Sequence, residues 1–203
     1  MDEKEKIKFL LHVLIPVVCC IIPGYFLYPL YIFKPYFSTF QIITTAFIGS
    51  VFLASLKITG KKNAVGIFLV FAVLNSMLLT KPVESGYVLR DVFHYAGLLF
   101  SIIFFFRIFY LKSAPALYPV YTAVVFAVVF FIAILILSVL KSVNMGEPLT
   151  YYFETVFYPV IIDTVIGFCI GVGTFIADRY LPLKKNTAGE VKEEINKEKA
   201  GSE

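Results

Sequence analysis

The chain has 203 residues, of which 59% are hydrophobic and 16% charged, with a net charge of +4 and a mean hydropathy of +0.84. That balance excludes an ordinary soluble domain, and six spans of about 20 residues would use nearly the whole length. The positive balance belongs to topology and lipid headgroups, and no nucleic-acid partner is expected.

Three lysines, Lys4, Lys6 and Lys8, precede the first apolar run. That run continues over 9–33 with no small-x-small cleavage site, so it reads as a retained signal-anchor helix rather than a signal peptide. Pro16, Pro23, Gly24 and Pro29 interrupt it, and a kink is expected near Pro23-Gly24. Further spans are predicted at 40–56, 64–79, 92–110, 117–140 and 156–177, with a short hairpin at 57–63 between the second and third. The expected architecture is therefore all-α: a polytopic six-transmembrane-helix bundle over 9–182, preceded by a short N-terminus at 1–8. From 183 to 203 the composition turns to Lys, Glu, Asn and Gly, a charged tail that cannot bury enough apolar surface to fold alone.

Orientation follows from the cations. With the N-terminus in the cytoplasm, Lys4, Lys6, Lys8, Lys57, Lys61, Lys62, Arg107, Lys112, Arg179, Lys184 and Lys185 lie inside, against Lys34, Lys81, Arg90 and Lys141 outside. Eleven against four selects an N-in, C-in protein of the cell membrane. Without Trp, the interfacial belt falls to tyrosine: Tyr25, Tyr28, Tyr31, Tyr36, Tyr87, Tyr151 and Tyr152 toward the outer boundary, Tyr110, Tyr118 and Tyr180 toward the inner one.

Polar residues inside a span are costly, so they carry the functional reading. Asp163 falls seven residues into the sixth span, about 10 Å deep, and needs a polar partner. Gly167 and Gly171 on the same helix form a small-x-x-x-small pattern suited to helix packing. His94 opens the fourth span beside Arg90 and Asp91, Asn75 lies near the outer end of the third, and Gln41, Thr44 and Thr45 share a face of the second. The expected solute site is thus Asp163, His94, Asn75, Thr44, Thr45 and Gln41 in the outer half of the bundle. The inner half offers Ser50, Ser55 and interfacial cations.

Catalytic chemistry finds no motif: there is no G-x-S-x-G, no H-E-x-x-H and no second membrane aspartate for a dyad. No metal site or cofactor is expected, since Cys19, Cys20 and Cys169 lack ligand spacing and read as small apolar residues, and His12 and His94 stand alone. The functional expectation is binding or translocation of a small solute. The alternative is a non-catalytic scaffold or regulatory subunit, touching other membrane or cytoplasmic subunits through helix faces and the tail. In both readings the lipid bilayer is the main partner.

Overall fold

A computed structural model describes residues 3–27, 39–58, 61–79, 85–145 and 149–183. Among them are six α-helices and no strand: α1 Glu3–Leu27, α2 Thr39–Ile58, α3 Lys61–Leu79, α4 Ser85–Phe104, α5 Tyr118–Met145 and α6 Leu149–Tyr180. Long apolar segments adopt helices because a helix satisfies every internal backbone donor and acceptor without water. The helix α1 runs unbroken through Pro16 and Pro23. The charged tail from 184 onward and the side chain of Gln41 lie outside the described residues.

The helix α4 passes into a π-helical turn at Phe105–Tyr110. The amides of Lys112 and Ser113 close it by donating to the Phe109 carbonyl, and a 3-10 turn at Pro115–Leu117 leads into α5. This short connection makes α4 and α5 antiparallel neighbours. Tyr118 then donates to the Tyr110 carbonyl across the turn at 3.1 Å.

Two helices show long apolar stripes left uncovered. On α1 the stripe comprises Leu10, Leu14, Val18 and Ile21, and on α5 Val120, Val124, Val128, Ile132 and Ile136, residues three or four apart that all face outward. Apolar area this continuous requires hydrocarbon as its solvent. Four helical stretches are long and apolar enough to cross a membrane, Glu3–Pro23, Val92–Tyr110, Pro115–Leu140 and Val160–Tyr180, and Ile42–Ile58 and Asn63–Asn75 are shorter apolar helices. The protein is an integral membrane protein.

Within the bundle α6 packs on α5 and α1, α1 also packs on α2, α2 touches α3 and α4, and α4 returns to α5. Glycines on α6 set the closest approaches. A Cβ at Gly167 would meet Phe126 Cγ at 2.5 Å, and one at Gly171 would strike Thr122 Oγ1 and lie 2.6 Å from Pro119 Cα, so both glycines seat α6 against α5. A Cβ at Gly173 would overlap the backbone of Pro16 on α1. Accordingly α6 buries 56% of its apolar stretch, against 28% for those of α1, α4 and α5.

Candidate functional site

Two buried polar clusters occupy α6, about 22 Å apart along its axis. The first centres on Asp163, which is 1% exposed. Because α6 begins at Leu149 rather than at 156, this residue sits near the middle of a 32-residue helix, close to the start of its apolar stretch Val160–Tyr180. Neither of its oxygens has a hydrogen-bond partner. Its nearest polar neighbour is His94 on α4, whose Nδ1 lies 3.9 Å from Oδ2. The opposite ring nitrogen, Nε2, is 3.1 Å from Thr45 Oγ1 on α2.

Helix geometry supports this junction. Gly97, one turn past His94, leaves room for Phe130 of α5 to lie against α4, and the His94 ring packs 5.4 Å from Phe130 and 5.5 Å from Tyr95. Three helices thus contribute one hydroxyl, one imidazole and one carboxylate in series. With hydrogen on Nδ1, Nε2 accepts the Thr45 hydroxyl, while the 3.9 Å from Nδ1 to Asp163 Oδ2 is longer than a hydrogen bond, so the last link of the series is open.

The same connectivity serves nucleophilic catalysis elsewhere, but here the surroundings oppose it. Thr45 is 2% exposed inside α2, where neighbouring amides are committed to the helix ladder and none is left to hold an oxyanion.

The remaining predicted residues are placed differently. Asn75 donates its side-chain amide to the Tyr95 hydroxyl, joining α3 to α4. Thr44 is half-buried on α2. Gly167 and Gly171 turn to α5.

The second cluster lies where α1 begins and α2 and α6 end, and the sequence reading missed it. Lys57 Nζ donates to Asp178 Oδ1 at 2.8 Å and approaches His12 Nδ1 at 3.4 Å. His12 Nδ1 is 3.7 Å from the same carboxylate oxygen. The other His12 nitrogen, Nε2, is 2.8 Å from the Leu181 carbonyl, which can only accept, so Nε2 carries hydrogen and Nδ1 is left to receive Lys57. Lys8 Nζ donates to the Pro182 carbonyl at 3.2 Å. In this way α1 supplies donors to carbonyls that the end of α6 leaves unpaired. The Lys57 ammonium also lies 4.8 Å from the centre of the Tyr110 ring.

This cluster joins His12, Lys57 and Asp178, which were not among the expected site residues. Beside it Tyr118 is 5% exposed and packs edge-on against Phe105 and tilted against Tyr110. The cluster's signal was faint: a lysine and an aspartate near helix ends and a histidine within α1, in segments that hydropathy alone does not bring together.

Cys20 and Cys169, far apart in sequence, line one narrow apolar crevice with Pro23, Ile42, Ile162, Val165 and Ile166. Among the described residues no group of His, Cys, Asp and Glu has the arrangement of a metal site.

No protein-family model matches this chain, and neither a curated protein nor a solved structure shows significant similarity to it.

Proposed function

We propose that the protein binds and translocates a small solute, and that Asp163, His94 and Thr45 form the site at which a proton or the solute's cationic group is held. The observation that carries this reading is the carboxyl of Asp163: buried, without a hydrogen bond, and facing an imidazole. A side chain used only for packing has no need of an ionisable group there, and intramembrane carboxylates characteristically serve ion and proton pathways. Buried hydroxyls of Ser50, Ser101 and Thr174 lie on α2, α4 and α6 between the two clusters, which suits a path along the bundle. In this reading all six helices span the membrane, both termini face the cytoplasm, and Asp163 belongs to the outer half.

Reconstitution into vesicles loaded with a pH-sensitive dye tests the proposal. Under an imposed pH gradient, with a panel of small amines added in turn, the parent protein should move protons or exchange them for one amine, and Asp163→Asn should be inactive while remaining folded. Equal flux from parent and Asp163→Asn would refute it.

The Asn75–Tyr95 pair supports a second reading, a scaffold, because it satisfies one predicted site residue, Asn75, helix to helix with no ligand. Leu69, Val70, Val73 and Leu74 of α3 face outward and would be its docking face.

A further inference from the structure

We propose that His12, Lys57 and Asp178 form an ionic latch that holds α1, α2 and α6 shut at one end of the bundle, and that its release lets α6 move and opens a path toward Asp163. The use of that path rests on the solute-site reading, whereas the latch itself does not.

Four observations support it. The three side chains come from three different helices and converge within 2.8–3.7 Å. Lys57 is 6% exposed and the Asp178 side chain 16%, so the pair is largely withdrawn from water, where an ion pair contributes little net stability and is better suited to fixing one of two arrangements. Asp178 takes Lys57 on Oδ1, while its buried Oδ2 has no well-formed hydrogen bond although the Tyr110 hydroxyl lies beside the carboxylate. Finally, Asp178 and Asp163 ride on one continuous helix, Leu149–Tyr180. A rigid movement of α6 that separates Asp178 from Lys57 must therefore also shift Asp163 relative to His94.

The packing between the clusters permits such a movement and seals the path until it happens. Gly167, Gly171 and Gly173 give α6 smooth contacts with α5 and α1, about which a helix can roll or slide. At intermediate height the methyl groups of Ile170, Ile102 and Leu98 crowd Gly49, so that an added Cβ would lie 3.1–3.3 Å from them, and they form a dry plug between α2, α4 and α6. Of its parts, Ile170 belongs to the helix that would move.

The test reads conformation, not transport. In protein with Cys19, Cys20 and Cys169 changed to serine, Thr174→Cys places a reporter one turn from Asp178, at a position that is 2% exposed. Labelling by a charged, water-soluble maleimide in lipid nanodiscs should be slow with the latch intact and at least about tenfold faster in Lys57→Gln or Asp178→Asn, since removing one partner of a buried pair typically costs more than a tenfold change requires. The charge-swapped double variant Lys57→Asp with Asp178→Lys should restore slow labelling. Unchanged rates in the single variants, or a swap as fast as the singles, would overturn the latch. Hydrogen exchange on the unaltered protein decides the matter even where a variant does not fold. Amides of 8–12, 55–58 and 174–180 should open together and faster than those of 164–170, and exchange as slow as that core would exclude a latch that opens. Failure of Asp163→Asn to alter flux would leave these readouts untouched, so the two proposals fail separately.

Discussion

Lys57 Nζ and Asp178 Oδ1 meet at 2.8 Å, although the two residues are 121 positions apart in the chain. Lys57 is one residue from the end of α2 and Asp178 two from the end of α6, so the pair joins the last turns of both helices. Both groups are largely desolvated, and that sets the expected energetics. Lys57→Met or Asp178→Asn alone strands the other charge and should cost about 3–5 kcal/mol, whereas the double substitution should cost clearly less than the sum. Thermal unfolding in detergent, followed as the loss of monodisperse protein, gives the four corners of this cycle. Additive losses would mean that the pair is not coupled.

The glycines of α6 should differ sharply from one on α3. Gly171→Ala and Gly173→Ala push a methyl group into backbone, that of Pro119 and Tyr118 in one case and of Pro16 in the other, and backbone has little room to yield. Each should destabilise by about 1–3 kcal/mol. Gly66→Ala meets nothing within 4 Å and should be neutral or stabilise by up to about 1 kcal/mol through helix propensity. Melting temperatures of the three variants test this order.

Hydropathy made the helices legible but not their contacts. The apolar runs from Phe9 to Ala177 announced α1 to α6 because a membrane helix is coded by its local composition. Asp163 and His94 stood out for the same reason, as ionisable residues within those runs. The partners were not legible. Thr45 looks like any other threonine of α2, and its bond to His94 depends on how α2 and α4 are rotated. His12 seemed isolated, and Lys57 passed as an ordinary interfacial cation, because the helix order that joins them to Asp178 is a matter of packing. The π turn at Phe105–Tyr110, which sets Tyr110 beneath Lys57, has no signature in composition at all.

The cation asymmetry predicts a membrane orientation that can be checked directly. A cysteine placed at Glu147 should be modified from the cell exterior by an impermeant maleimide, and one at Asn63 should react only after the cells are opened. The reverse pattern would place the Lys57–Asp178 end outside and Asp163 toward the cytoplasm.

Asp163 offers the clearest separation of stability from function. Its two oxygens are buried without hydrogen bonds, so in the closed bundle the carboxyl contributes desolvation cost and little that offsets it. An unpaired buried polar group costs about 1–3 kcal/mol. Leucine has the same branching and no polar atom but is bulkier, so the relief of desolvation is offset by crowding, and Asp163→Leu should melt within about 1 kcal/mol of the parent's stability. Asp163→Asn retains a polar amide in the same space and should melt close to the parent. Both should lose proton or solute movement, since neither can ionise. Destabilisation of Asp163→Leu by more than about 1 kcal/mol, with Asp163→Asn unaffected, would show that the residue holds the helices together through polar contacts. Retained flux in either variant would remove Asp163 from the transport site. Thr45→Val completes the comparison, because it deletes only the hydroxyl beside His94 Nε2. If the hydroxyl, imidazole and carboxylate act in series, this variant should slow proton movement while leaving the melting temperature within about 1 kcal/mol of the parent's stability.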